Sequence, residues 1–205
     1  MVDTSRRAAA ADGRVPGRWR TVDIVVASVI AVAFGLVFAV WNNYLYSVVS
    51  APLSGSPAQP LLAFVWLVPG VVGGLVVRRP GAALYTEFVA ATVSLFFGSV
   101  WGLSVLMSGV WQGLGAELVL AALLYRRWGV VAGALAGVGA GFAMGVYESV
   151  VLSYALGAGA RTVYVASSMA TGVLAGVLAW WLVRALARTG VLAPFAAGRA
   201  QQREV

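Results

Sequence analysis

Cysteine, histidine and lysine are all absent from this 205-residue chain. Without thiol or imidazole there is no disulfide scaffold, no thiol nucleophile and no Ser–His–Asp triad. The usual ligand sets of zinc and haem sites are missing for the same reason. Charge is scarce as well. Asp, Glu, Lys and Arg make up 10% of the residues, where a water-soluble domain carries about 25%. With 61% hydrophobic residues and a mean hydropathy of +0.90, the remaining charge is too sparse to solvate a globular surface. Lipid must be the solvent, which removes nearly every class of cytosolic enzyme. The sequence also lacks a GxxxxGK(S/T) phosphate loop, a paired-aspartate motif for phosphotransfer in a membrane, and long loops to hold a soluble catalytic site. Neither cofactor nor metal is expected.

What is present is a series of long apolar runs. A crossing helix needs ~20 apolar residues, and turn chemistry divides the chain into six such spans, an all-α integral membrane fold. They run from Val22 to Val48, Leu61 to Val77, Ala82 to Val100, Leu103 to Tyr125, Trp128 to Tyr154 and Thr162 to Leu186. The breaks are Ser50-Ala-Pro-Leu-Ser-Gly-Ser-Pro, Arg78-Arg-Pro-Gly, Arg126-Arg127 and Gly157-Ala-Gly. Pro69-Gly70 inside the second span predicts a kink. Residues 21–188 form the membrane domain, with a basic, disordered tail at 1–20 and a second cytoplasmic tail at 189–205. The apolar stretch from Ile24 to Val40 exceeds the ~7–15 residues of a signal-peptide core, so it is read as a membrane helix.

All 14 cations are arginines against 7 acidic residues, a net charge of +7. In a polar chain such an excess suits nucleic acid; in one this apolar it reports orientation, because cytoplasmic loops collect the positive residues. With the N-terminus inside, thirteen arginines fall on the cytoplasmic side and only Arg161 falls outside. Both termini are then cytoplasmic, and no nucleic acid partner is expected.

Small residues recur every fourth position in three spans. The first carries Ala27, Ala31, Gly35 and Ala39; the fifth carries Gly129, Gly133, Gly137, Gly141 and Gly145; the sixth carries Ser168, Gly172 and Gly176. That period lines one helix face, where backbones approach closely in lipid. For the fifth and sixth spans the natural reading is packing within the chain. The stripe of the first span suits either packing or the docking of another membrane subunit.

Three carboxylates, Glu87, Glu117 and Glu148, fall inside spans, one each in the third, fourth and fifth. An intramembrane carboxylate costs at least ~2.5–3.5 kcal/mol to insert and is by default a functional candidate. The alternative is an interhelical hydrogen bond from a protonated Glu. No intramembrane Arg or Lys is placed to pair with them, so a cationic or hydrogen-bond-donating ligand is the natural partner. At ~1.5 Å per residue, Glu87 lies about 9 Å above Gly81, Glu117 about 13 Å above Arg126 and Glu148 about 28 Å from Gly129. They need not form one cluster. Nearby stand Trp41-Asn42-Asn43-Tyr44, Trp66, Trp111-Gln112 and Tyr147, a set suited to an aromatic, hydrogen-bonding, partly cationic small molecule. Trp101, Trp19 and Trp128 read as interfacial belt residues. The loop from Val49 to Pro60 is long enough to act as a lid.

Taken together, Arg78-Arg-Pro-Gly-Ala-Ala-Leu followed by Glu87, then Gln112-Gly-Leu-Gly-Ala-Glu117, then Tyr147-Glu148 and the tail Ala187-Arg-Thr-Gly-Val-Leu192 resemble the YkoE family. The resemblance covers residues 20 to 195. It implies a substrate-binding S component of an energy-coupling factor (ECF) transporter in a bacterial cell membrane, working with a transmembrane T component and two ATPase subunits. It further implies a vitamin ligand, thiamine or its hydroxymethylpyrimidine precursor, in a pocket towards the outer face. On that reading Glu87, Gln112, Glu117, Tyr147 and Glu148 are the polar ligand set, with Asn42 and Asn43 beside them and Trp66 and Trp111 for stacking. Docking of the T component would fall to Ala27, Ala31, Gly35 and Ala39. Two rivals remain open from the residues: a proton-coupled secondary transporter using Glu87 or Glu117, though no internal repeat is visible, and a non-transporting membrane anchor subunit.

Overall fold

The computed structural model describes residues 18–152, 156–195 and 197–198; the basic tail and the expected end of the fifth span at Tyr154 lie outside them. Among the described residues the chain is helical without strands. Its six principal helices are α1 (Thr21–Val40), α2 (Phe64–Val77), α3 (Ala82–Phe96), α4 (Ser104–Ala122), α5 (Val130–Tyr147) and α6 (Ala158–Arg188). The first is prolonged by a π-helical turn, Trp41–Leu45, and a further helical turn, Tyr46–Ser50; α5 is prolonged by a second π-helical turn, Glu148–Leu152.

Four of the helices, counted with their extensions, are long and apolar enough to cross a bilayer, whereas α2 and α3 have only 14 and 15 residues. That is roughly 21–23 Å of helix. Both begin or end short of the sequence expectation: α2 starts at Phe64 after a 3₁₀ turn over Gln59–Leu62, and α3 stops at Phe96. The loss is at their outer ends. Irregular backbone at membrane depth is tolerated where it is buried in protein or lines a cavity, and α2 is buried from Leu67 to Val77. The shortening leaves space above the two central helices, and the site occupies it.

All the described arginines except Arg161, in the first turn of α6, gather at the opposite end. Arg20 pairs with the buried Asp23 at 2.7 Å, and Arg79 lies 3.8 Å from the same carboxylate. Trp19 Nε1 donates to the Pro80 carbonyl at 2.9 Å, and Trp19 packs edge-on against Tyr85. The segment after α6, expected as a tail, folds under the bundle: Leu192 and Phe195 are buried in the main core, and Arg20 stands over the Phe195 ring. The start of α1, the 78–81 turn and the segment from Leu192 to Phe195 therefore share one face, which the charge rule assigns to the cytoplasm.

Small residues set the helix contacts. A methyl group at Gly133 would stand 2.8 Å from the Gly176 carbonyl oxygen, and one at Gly137 or Gly141 would collide with Gly172 or Ser168, so the stripes of α5 and α6 face each other. The stripe of α1 needs a correction. Ala27 and Ala31 are wholly buried, Gly35 and Ala39 are buried too, and a methyl at Gly35 would stand 2.5 Å from Val93 Cβ of α3. This face packs inside the chain and is not available for docking a T component. The outward face of α1 is instead the bulky one, with Val25, Val29, Val32 and Leu36.

Candidate ligand site

A cavity of about 420 Å³ opens among the outer halves of the helices, within the usual range for small-molecule sites. Its depth follows from helix rise. Glu87 lies nine residues below the outer end of α3 and Gln112 eight below the start of α4, roughly 12–14 Å in. These two form the floor. α4 comes close to α3 here because Gly109 and Gly113 carry no side chain; a methyl at Gly113 would stand 2.9 Å from Glu87 Cβ.

Glu87 is 1% exposed. Its Oε2 accepts the Gly70 N–H at 2.7 Å. Gly70 follows Pro69, where the helical ladder of α2 is interrupted, and a methyl in its place would stand 3.0 Å from that carboxylate oxygen. The Pro-Gly pair thus leaves room beside α2 for the carboxylate. The other oxygen, Oε1, is buried without a hydrogen-bond partner, and Glu87 forms part of the cavity wall. A buried polar atom left unpaired costs on the order of 1–3 kcal/mol, more when charged. A ligand N–H would remove that cost.

The second carboxylate on the wall is Glu148, the first residue of the π-helical turn after α5. Ser108 Oγ donates to its Oε1 at 2.7 Å and Tyr164 Oη to its Oε2 at 2.9 Å, while Gln112 Nε2 donates to Ser108 Oγ at 2.8 Å. One connected network thereby joins α4, α5 and α6. The rim is aromatic. Tyr46, Trp66 and Trp101 pack mutually with ring centroids 4.7–5.4 Å apart, and Gln59 of the loop lies among them on the wall. Asn42 lies behind this rim, accepting from Trp66 Nε1 at 2.7 Å and donating to Ser94 at 3.1 Å. Both π-helical turns adjoin the site, a frequent location for such irregularities.

The structure thus brings Glu87, Gln112, Glu148 and Trp66 together, with Asn42 orienting Trp66. It places the others elsewhere. Glu117 accepts the Gly81 N–H at 2.7 Å, the Ala83 N–H at 2.9 Å and the Tyr125 hydroxyl at 2.6 Å. It caps α3 from a neighbouring helix, an anion at a positive helix end. Gly81 takes φ 86°, which turns its N–H towards that carboxylate, while Leu124 and Tyr125 hold left-handed backbone at φ 55° and 52°. Burial and the bond to Glu117 raise the Tyr125 phenol, keeping it a donor. Tyr147 stacks on Trp111 at 6.2 Å, and Trp111 is 42% exposed on the bundle exterior. Neither Tyr147, Trp111 nor Asn43 is on the cavity wall. Trp101 needs a correction: it is part of the rim, because the chain after α3 turns over the cavity mouth and carries Trp101 onto Trp66. Tyr46, Gln59, Ser108 and Tyr164 were missed by sequence reasoning. Only Ser108 carried a signal, its spacing of four from Gln112 placing both on one helix face.

A lipid-solvated helical bundle with an aromatic-rimmed, carboxylate-floored cavity at its outer end is a small-molecule-binding membrane protein. The crystal structure of an S component of an ECF transporter has the same fold, with a TM-score of 0.84 and 31% identity over 91% of this chain and 95% of that one. Residues 22–143 match the family described as the permease component of ABC-type cobalt transport systems. YkoE of Bacillus subtilis (strain 168), named as a candidate HMP/thiamine permease protein, is 32% identical over 183 residues, 88% of this chain and 91% of that relative. The chain belongs to the YkoE family of ECF S components.

Proposed function

We propose that this chain is the substrate-binding subunit of an ATP-driven vitamin importer in a bacterial plasma membrane, and that its outer cavity takes thiamine or the hydroxymethylpyrimidine part of it. The observation that carries the reading is the unpartnered Oε1 of Glu87 on the wall of an aromatic-rimmed cavity. An aminopyrimidine offers an exocyclic amine and ring nitrogens. Glu87 accepts from the amine, and the Gln112 amide reads the adjoining edge through charge-assisted and neutral bonds. Trp66, Tyr46 and Trp101 provide ring faces, and the carboxylate pair Glu87 and Glu148 suits the thiazolium cation. The name of the YkoE relative pairs the same two compounds. Cobalt, named in the family description, suits the donors less well: the sequence has no His or Cys, and among the described residues no three acidic side chains converge. The role is binding rather than catalysis, and transport requires a T component and two ATPases.

Purifying the chain from cells, identifying its co-purified small molecule by mass spectrometry and titrating thiamine and hydroxymethylpyrimidine tests the proposal. Tight binding by the isolated chain, with uptake only when the ATPase module is co-expressed, is the expected result. Accumulation by the chain alone that collapses with the proton gradient would instead establish a secondary transporter.

A further inference from the structure

Three hydroxyl protons on the cavity wall are committed within the protein. Ser108 Oγ gives its proton to Glu148 at 2.7 Å, Tyr164 Oη gives its own to the same carboxylate at 2.9 Å, and Ser104 Oγ donates to the Trp101 carbonyl at 2.7 Å. A carboxylate accepts without donating, and a hydroxyl has a single proton. With that proton on Glu148, Ser108 Oγ can only accept from its other neighbour, the Gln112 side chain at 2.8 Å. The amide must therefore present its N–H end to Ser108. Turned over, it would set a carbonyl oxygen against a hydroxyl with no proton left to give, a buried mismatch. Gln112 Oε1 is the end left for the cavity, whose wall Gln112 helps to form. Among the described residues no group donates to it.

The floor then holds two open acceptors, Gln112 Oε1 and the unpartnered Glu87 Oε1. They are neighbours, because Gln112 lies between Gly109 and Gly113, the two glycines of α4 that abut Glu87. We propose that this floor selects a planar cation carrying two N–H donors on one edge, with Ser108 as the positioning residue that fixes the polarity of Gln112, a selectivity that rests on the cavity being the ligand site. An aminopyrimidine protonated on its ring has such an amidinium-type edge. A neutral amide edge meets Glu87 with its N–H but sets its own carbonyl oxygen against that of Gln112. Selection of this kind works through the polar group left unpaired. Glu148 does not touch that edge; it acts through Ser108.

Benzamidine carries the donor–donor edge, and benzamide has the same shape with a carbonyl at one end. Both are titrated calorimetrically into the detergent-purified chain. The parent should bind benzamidine at least about tenfold more tightly, the scale of a charge-assisted bond. Gln112→Met keeps both carboxylates and the side-chain length but has no carbonyl. It should weaken benzamidine about fivefold and leave benzamide within about twofold. Ser108→Ala frees the amide to turn, so the preference for benzamidine should fall about fivefold, and Ser108→Thr should restore it. If Ser108→Ala does not accumulate, Ser108→Cys, whose sulfur accepts only weakly, is read in its place. Equal binding of the two probes, no binding of benzamidine, or a Gln112→Met variant that loses more benzamide than benzamidine would overturn the selectivity. A parent-like preference in the Ser108 variant would overturn the positioning role. Thiamine is titrated alongside: thiamine binding without the probe pattern overturns the amide polarity alone, and the probe pattern without thiamine binding keeps it and overturns the vitamin reading.

Discussion

Glu87 and Glu117 sit on adjacent, closely packed helices, both nearly inaccessible and both carboxylates in the interior of a membrane protein. Their surroundings differ completely. Glu117, in the cytoplasmic half, accepts three hydrogen bonds and has both oxygens engaged. Glu87, in the outer half, uses one oxygen to accept the Gly70 N–H of α2 and leaves the other on a cavity wall. An intramembrane carboxylate is therefore not a functional site by virtue of its position alone. The deciding question is whether the protein already supplies its hydrogen-bond partners. Where it does, the group is part of the scaffold; where it does not, as at Glu87, an acceptor stays open at the cavity.

The contrast can be broken most directly at Glu117. Glu117→Ala strands two backbone N–H groups and a phenol, and should destabilise the chain by about 3–5 kcal/mol, seen as a lowered unfolding midpoint in detergent. Thiamine affinity of the protein that remains folded should stay close to that of the parent. A large loss of affinity at unchanged stability would move Glu117 into the binding set. Ala31→Leu probes the α1–α3 seam, on the side of α3 away from Glu87's partners Gly70 and Gly113. Overpacking a wholly buried alanine against Ala90 and Phe38 should cost about 1–3 kcal/mol and lower the yield of monodisperse protein. If the variant is fully stable but no longer co-purifies with an ATPase module, the seam is a docking strip after all.

At the outer end the expected signature is reversed. Glu87→Gln keeps an acceptor for Gly70 but removes the charge from the cavity. It should leave the unfolding midpoint nearly unchanged and weaken thiamine or hydroxymethylpyrimidine by more than about 1.5 kcal/mol, roughly tenfold, by calorimetric titration. The smallest effect sharpens the comparison. Tyr125→Phe removes one of the three donors to Glu117 and should cost about 1 kcal/mol of stability with no change in ligand affinity.

Much of the architecture was legible in the residues. Six spans and the facing stripes of α5 and α6 were read from local pattern. The site was legible only in part. Glu87, Glu148, Gln112 and Trp66 stand out as polar or aromatic residues in apolar runs, but Glu117, Trp111 and Tyr147 stand out equally and lie elsewhere. Tyr46 and Tyr164 did not stand out, since tyrosine near a helix end is ordinary at a membrane surface. The stripe of α1 was ambiguous because close packing demands the same small residues whether the neighbour belongs to the same chain or another.

Hydropathy and charge are sums along the chain, so the residues alone determined that lipid is the solvent, how many times the chain crosses it and which end carries the arginines. The direction each side chain faces is not such a sum. A soluble helix reveals its inner face by amphipathicity, but in lipid both faces are apolar and the pattern carries little rotational information. Only the packed structure decided that Glu87 turns to a cavity and Glu117 to a helix N-terminus. That choice depends on how α3 and α4 rotate and slide against each other at Gly109 and Gly113.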